Sequence, residues 1–249
     1  MRPHLIAVLS MLAALSFAAG AEPSALTNVR SIGVIVALDD TLAIVHVGPT
    51  TADTTVETLP IADWNLDDTI IGAVQSSLAP RYSVVKINDD LGAFRRVEAD
   101  TPFRMAGDLE DLVGDLPKRE LDAYLVVKPF RSYADLIGAA YHGMTGLGIY
   151  RNDAGGEVKN GEYAFFALFV IDAKSAHLLA SAAPCTFKAG GPCEVATWWT
   201  VDGRNFADAR AISAEQRAAL KQDFTKHLDD GIKGALANLG LSPPAAALQ

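Results

Sequence analysis

The chain is 249 residues long, 50% hydrophobic and 20% charged, with 30 acidic against 21 basic side chains and a formal net charge of −9. That apolar content argues against a disordered chain, and the length suits one core with room for excursions. A surface this acidic repels phosphate backbones and anionic lipid heads, so nucleic acid and membrane surfaces are poor partners.

Arg2 precedes an apolar run over 5–19, and Ala19-Gly20-Ala21 supplies the small residues that a signal peptidase inspects. This predicts a secretory signal over 1–21, cleaved after Ala21. The run is shorter than the ~20 residues needed to cross a bilayer, and no cysteine stands near the cut to carry a lipid. No later stretch is long and apolar enough to span a membrane. The mature chain is expected to be soluble and exported, in the periplasm or secreted.

Residues 22–30 read as a linker. Residues 31–38 form a buried, β-rich run, Asp39-Asp40 interrupts it, and 41–47 resumes it, which predicts a hairpin. Residues 48–64 are polar and Thr-rich, a loop with a short edge strand at 55–59. Asn65, Asp67 and Asp68 offer cap oxygens and negative charge to a helix whose apolar face is Ile70, Ile71, Val74 and Leu78, with Pro80 ending it. Residues 81–87 alternate as a strand, and strand–helix–strand in this order favours a parallel pair with a right-handed crossover. Residues 88–102 read as a charged surface connection. A helix over 105–116 stops at Pro117, and 121–130 is another buried strand.

Residues 163–183 are the anchor. Tyr-Ala-Phe-Phe-Ala-Leu-Phe-Val-Ile is apolar at every position, as a strand covered on both faces requires. Asp172, Lys174 and Ser175 form turns, and a second apolar run follows, so a hairpin at the centre of a sheet is expected. Ser213 with Gln216 makes a capping box for a helix over about 214–239. Its stripe is Leu220, Phe224, Leu228, Ile232, Leu236 and Leu239, and Gly240 and Pro243 close it. Residues 241–249 read as a flexible tail. The sum is a single α/β domain over 31–240: a mixed sheet of five to seven strands, helices packed on its faces, and a long C-terminal helix.

Cys185 and Cys193 are the only cysteines. In an exported chain an even count points to a bridge, and Gly-Gly-Pro between them allows the bend, so a Cys185–Cys193 disulfide is expected. With no second thiol pair or histidine pair nearby they make a poor zinc site. His46 and His177 fall in predicted strands and His227 on the last helix, none at metal-ligand spacing. There is no Gly-x-Ser-x-Gly elbow and no phosphate-cradling glycine loop, and Gly143 to Gly148 reads as a turn. The Asp pairs at 39–40, 67–68, 89–90 and 229–230 suit turn and cap duty. No metal, cofactor or catalytic residue is expected.

Two long segments, 131–161 and 185–206, carry the residue types that binding surfaces use: Arg131, Tyr133, Tyr141, His142, Tyr150, Arg151, Trp198 and Trp199. With the hairpin central, both would emerge near one sheet edge. Trp198 and Trp199 fit a binding face and a core cap equally well.

The order of parts has a resemblance. An early apolar strand, a helix, Tyr82-Ser-Val-Val-Lys-Ile87, then Asp122-Ala-Tyr-Leu-Val-Val127 and the hairpin Val170-Ile-Asp-Ala-Lys-Ser-Ala-His-Leu-Leu-Ala-Ser181 follow an export signal. This resembles envelope domains such as the curli secretion lipoprotein CsgG, the amino-terminal domain of TolB and the LpoB-type activators of peptidoglycan synthases. The chain departs from them in lacking a lipobox, in lacking Thr-Gly at the hairpin turn and in its long inserted segments. The resemblance implies a non-catalytic α/β interaction domain in the periplasm and transfers no functional residue. The expected function is an exported, soluble, non-catalytic binding or scaffold protein of the bacterial cell envelope, with a possible envelope protein as partner. A periplasmic hydrolase with its active site around 131–161 and 185–206 is the alternative, and a small-molecule binder the third.

Overall fold

The computed structural model describes residues 26–48, 53–132, 144–152, 159–183, 185–187, 193–195, 198–200 and 212–242. The strands are β1 (Ser31–Val36), β2 (Thr41–Val47), β3 (Thr55–Pro60), β4 (Ser83–Lys86), β5 (Ala123–Pro129), β6 (Arg131–Ser132), β7 (Met144–Asn152), β8 (Lys159–Asp172), β9 (Leu178–Ala182), β10 (Cys185–Phe187), β11 (Cys193–Val195) and β12 (Trp198–Thr200). The helices are α1 (Leu66–Leu78), α2 (Leu91–Arg96), α3 (Pro102–Gly114) and α4 (Ala214–Asn238). The main sheet is mixed and runs β3-β2-β7-β8-β5-β1-β4. β9 and β12 pair with β8, and β6 with β7. This is the expected α/β domain with its long C-terminal helix.

β8 organises the sheet because it is long enough to serve two sets of neighbours. Its first half pairs with β7, from Asn152↔Lys159 to Gly146↔Phe165, and its second half with β5, from Pro129↔Phe166 to Ala123↔Asp172. Both pairings are antiparallel, so β5 and β7 lie end to end along one edge of β8. β9 and β12 divide the other edge in the same way. β1 runs parallel to β5 and β2 parallel to β7.

That arrangement corrects the hairpin expected over 31–47. β1 and β2 run in the same direction as one interrupted strand line, β1 beside β5 and β2 beside β7. Asp39-Asp40 does not reverse the chain. It marks where the line passes from one half of the sheet to the other, and Ala37 N–H still bonds Val127 O at 2.9 Å across the junction. A parallel pair is present, but β4 joins β1 and not the strands just before α1: β1 and β4 align from Ser31↔Ser83 to Val34↔Lys86. A second difference is α2, which falls inside the predicted charged connection.

Alternation along β8 divides the core. Ala164, Phe166, Leu168 and Val170 join α1 and α4 on one face, together with Leu220, Phe224, Leu228 and Ile232. Ala167, Phe169 and Ile171 join Phe94 of α2 and Met105, Leu109 and Val113 of α3 on the other. Residues 163–171 are fully buried, which is why every one of them is apolar. Leu26 and Val29 ahead of β1, and Leu241 beyond α4, also pack in the α1–α4 core. The β8–β9 turn is fixed by Asp172, whose Oδ1 accepts from Lys174 N, Ser175 N and Ser175 Oγ. The Ser213–Gln216 capping box on α4 forms in both directions.

Candidate binding surface

The half of the sheet built from β3, β2, β7, β8 and β12 carries two unlike faces. Cross-strand registers place Gly148 and Tyr163 in one row, and Ile44, Ile149 and Glu162 in the next. Directly opposed residues share a face. The first face holds Val45, Val47, Met144, Tyr150, Tyr163 and Phe165 as a small aromatic cluster. Tyr163 stacks on Phe165 with ring centroids 5.1 Å apart, and Phe130 meets Phe165 edge-on at 5.8 Å. Burial raises the Tyr163 phenol well above its ordinary value, so it stays protonated.

The second face is covered by α4 and contains a polar patch. Glu162 is only 1% exposed, and its Oε2 lies 3.3 Å from His227 Nε2 on α4. The next row places His46, Arg151 and Asn160 side by side on β2, β7 and β8, all partly buried. Taking a carboxylate out of water is costly, and a facing imidazole that can carry positive charge offsets part of that cost.

A third feature lies at the junction between the sheet halves. A cleft of about 230 Å3 is lined by Leu38, Asp39, Thr41, Ala43, Val56, Thr58, Pro129 and residues 145–147. Behind it Lys128 is buried at 2% exposure, and its Nζ donates to Arg95 O in the last turn of α2. A cation there meets the negative end of the helix dipole. Burial nevertheless lowers the Lys128 pKa, with nearby Asp39 acting in the opposite direction. Arg95 in turn bridges Asp40 at 3.1 Å and Asp67 at 3.3 Å. Burial raises the Asp67 carboxyl pKa against the pull of Arg95.

The sequence-predicted residues divide as follows. Arg131 is in β6 opposite Thr145, with its guanidinium 3.7 Å from Glu98. Tyr150 is completely buried in the aromatic cluster, so its ring is core material. Arg151 is on the opposite face, in the polar row. The backbone of Trp198 and Trp199 forms β12 opposite Tyr163 and Glu162, and their side chains lie outside the described residues. Tyr133, Tyr141 and His142 also lie outside them, as does the predicted signal. Cys185 and Cys193 are on facing strands, opposite Val195 and Phe187 respectively, and their side chains are outside the described residues. Sequence reading weighs His227 only against metal-ligand spacing and passes over Glu162 and Lys128. The one signal is Glu162 itself, an acidic residue directly ahead of the apolar run 163–171.

Among the described residues no helix is long and apolar enough to cross a membrane. No protein-family model and no curated protein sequence matches the chain. Among solved structures, the crystal structure of protein XCC0632 from Xanthomonas campestris, of family DUF330, aligns over 86% of this chain and 84% of that one, at 12% identity and a TM-score of 0.33. A likeness at that score carries no argument about function.

Proposed function

We propose that the chain is an exported, non-catalytic binding or scaffold protein of the bacterial cell envelope, with its main surface on segments 131–161 and 185–206. One observation carries the reading. β7 and β12 flank the first half of β8 from opposite edges, so the two segments rich in Arg, Tyr and Trp belong to adjoining strands of one sheet half. β6, which opens the first segment, pairs with β7, which the same segment contains, so its described parts are strands of one sheet. Residues set on a rigid scaffold in this way are well placed for binding. The resemblance of the order of parts to CsgG, the amino-terminal domain of TolB and LpoB-type activators points to an assembly role in the periplasm.

The test is site-specific photo-crosslinking in intact cells expressing the full precursor. A crosslinker at Arg131 or Trp199 should capture an envelope protein, and one at exposed Lys226 on α4 should not. The same preparation should begin at Glu22 and yield a Cys185–Cys193 linked peptide without reductant. Turnover of a generic ester or glycan substrate that is lost in Glu162→Gln, with no captured partner, would replace this reading by the hydrolase.

A further inference from the structure

We propose that the cleft of about 230 Å3 at the junction of the two sheet halves binds a small uncharged polyol, of monosaccharide size or smaller. This goes beyond the protein partner proposed above and does not depend on it.

Topology opens the cleft. It lies just past the carboxyl ends of two neighbouring parallel strands, with Leu38 and Asp39 following β1 and Pro129 ending β5. The connections that leave those ends part there. β1 leads onward to β4 on one side, and β5 leads to β8 on the other. A crevice at the carboxyl ends of parallel strands, where connections diverge, is where open α/β sheets bind ligands. The ladder is interrupted at the same place. β1–β5 pairing ends at Val36↔Val127, with one more bond from Ala37 N–H to Val127 O, and β2–β7 pairing starts at Ala43↔Gly148. Residues 38–41 therefore have no register partner on β5 or β7, which leaves a seam between the two strand lines.

The lining selects the ligand. Asp39, Thr41, Thr58 and Thr145 border the cleft, and among the described residues none of these side chains makes a hydrogen bond. Ala43 stands opposite Thr58 and Val45 opposite Val56, so Ala43, Val56 and Thr58 share one face and set C–H surface beside the oxygens. No lysine, arginine or histidine lines the cleft, so an anion meets a carboxylate and no counter-charge. Asp39 already acts electrostatically on buried Lys128, so a second cation gains little there. What remains is a neutral ligand with several O–H donors and a C–H face. The volume is below the range of about 300 to 1,000 Å3 typical of drug-sized ligands, which limits the occupant to about one sugar ring.

The probes are glucose, galactose and xylose, with glucosamine and a glucose phosphate as charged counterparts, each titrated into the isotope-labelled full-length protein. The amide resonances of Thr41, Thr58 and Gly146 should shift saturably with at least one neutral sugar. Thr41→Val and Thr58→Val each delete one hydroxyl and keep the β-branched shape, so each should weaken binding by about three- to tenfold. Ala43→Leu fills the cleft and should abolish binding, with circular dichroism reporting that the fold persists. Failure of all three neutral sugars to move these resonances would overturn the proposal without recourse to any variant. Tighter binding of glucosamine or of the glucose phosphate than of glucose would overturn it by assigning a charged ligand. Affinity unchanged in both threonine variants would overturn it by placing the sugar elsewhere.

Discussion

His227 on α4 places Nε2 3.3 Å from Oε2 of Glu162, a buried carboxylate in the first half of β8. The pair ties the long C-terminal helix to the first half of β8. Removing His227 takes a close partner away from a buried carboxylate, which costs more than losing an exposed contact. His227→Ala should lower the unfolding free energy by about 1–3 kcal/mol. Replacing both with leucine should cost less than the sum of the single changes, because their mutual contact is then lost only once. Urea unfolding of the two single variants and the double variant provides the cycle, and additive losses would show that the pair is not coupled.

Gly148 lies under the Tyr163 ring. A Cβ at that position would come 2.2 Å from both Cζ and Oη of the tyrosine. Tyr163 is fully buried and stacked on Phe165, so the ring has little room to yield. Gly148→Ala should destabilise the fold by about 2 kcal/mol, the usual scale of overpacking. Shortening the opposing ring in Gly148→Ala/Tyr163→Leu should recover part of that loss. Thermal melts of the two proteins distinguish this steric account from a simple gain of strand propensity, under which alanine alone would be neutral or better.

The parts of the fold that were legible in sequence are those decided by neighbouring residues. The uninterrupted apolar run of β8 announces burial on both faces, because no polar residue could survive on either one. Ser213 and Gln216 announce the start of α4, because the capping box is a local pair of hydrogen bonds. Asp172 announces its turn for the same reason. The path from β1 to β2 was not legible. Asp39-Asp40 has the composition of a turn, and the chain is kept straight by partners at 123–127 and 148–152, far away in sequence. α2 was missed because its six residues bury only Ala93 and Phe94, too few to set a period. Tyr150 and Arg151 illustrate the same limit at the candidate site. They are adjacent in sequence with similar promise, yet strand alternation sends one into the aromatic core and the other to the polar row beneath α4.

Asp122 clips the start of β1 to the start of β5. Its Oδ2 accepts from Arg30 N, Ser31 N and Ser31 Oγ at 2.9, 3.0 and 2.9 Å. The Arg30 amide and then the Ser31 hydroxyl and amide hold its carboxyl below the ordinary range. A carboxyl pKa depressed in the folded state contributes stability that is present above the unfolded value of about 3.9 and fades as pH falls through the folded value. Asp122→Asn should therefore cost something at pH 7, below about 1 kcal/mol given solvent screening at this edge. The gap between wild type and variant should close as the solution is acidified below pH 4. Urea midpoints along that pH series check it, and a gap that persists into strong acid would assign the effect to packing.

Lys128 should make the opposite contribution. Its amine is buried at 2% exposure behind the junction of β1 and β2, and that burial lowers its pKa despite the acceptor at Arg95 O and the nearby Asp39. When a lysine pKa is lower in the folded state, the unfolded chain binds more protons between the folded value and about 10.5. Stability then rises with pH across that window. Below the folded value both states are charged, and the cost of burying the ammonium is fully present. Lys128→Met keeps the apolar stem and removes the titration, so it should match or exceed the wild type at pH 7, offset by loss of the helix-end hydrogen bond. As pH rises toward 10.5 the wild type should gain on the variant, by at most about 1.4 kcal/mol per pH unit, the limit for one proton. Paired urea titrations of the two proteins from pH 7 upward measure that difference directly, because every other titrating group is shared. Parallel curves would mean that Lys128 carries the same proton affinity folded and unfolded, and that the acceptors at the end of α2 fully compensate its burial.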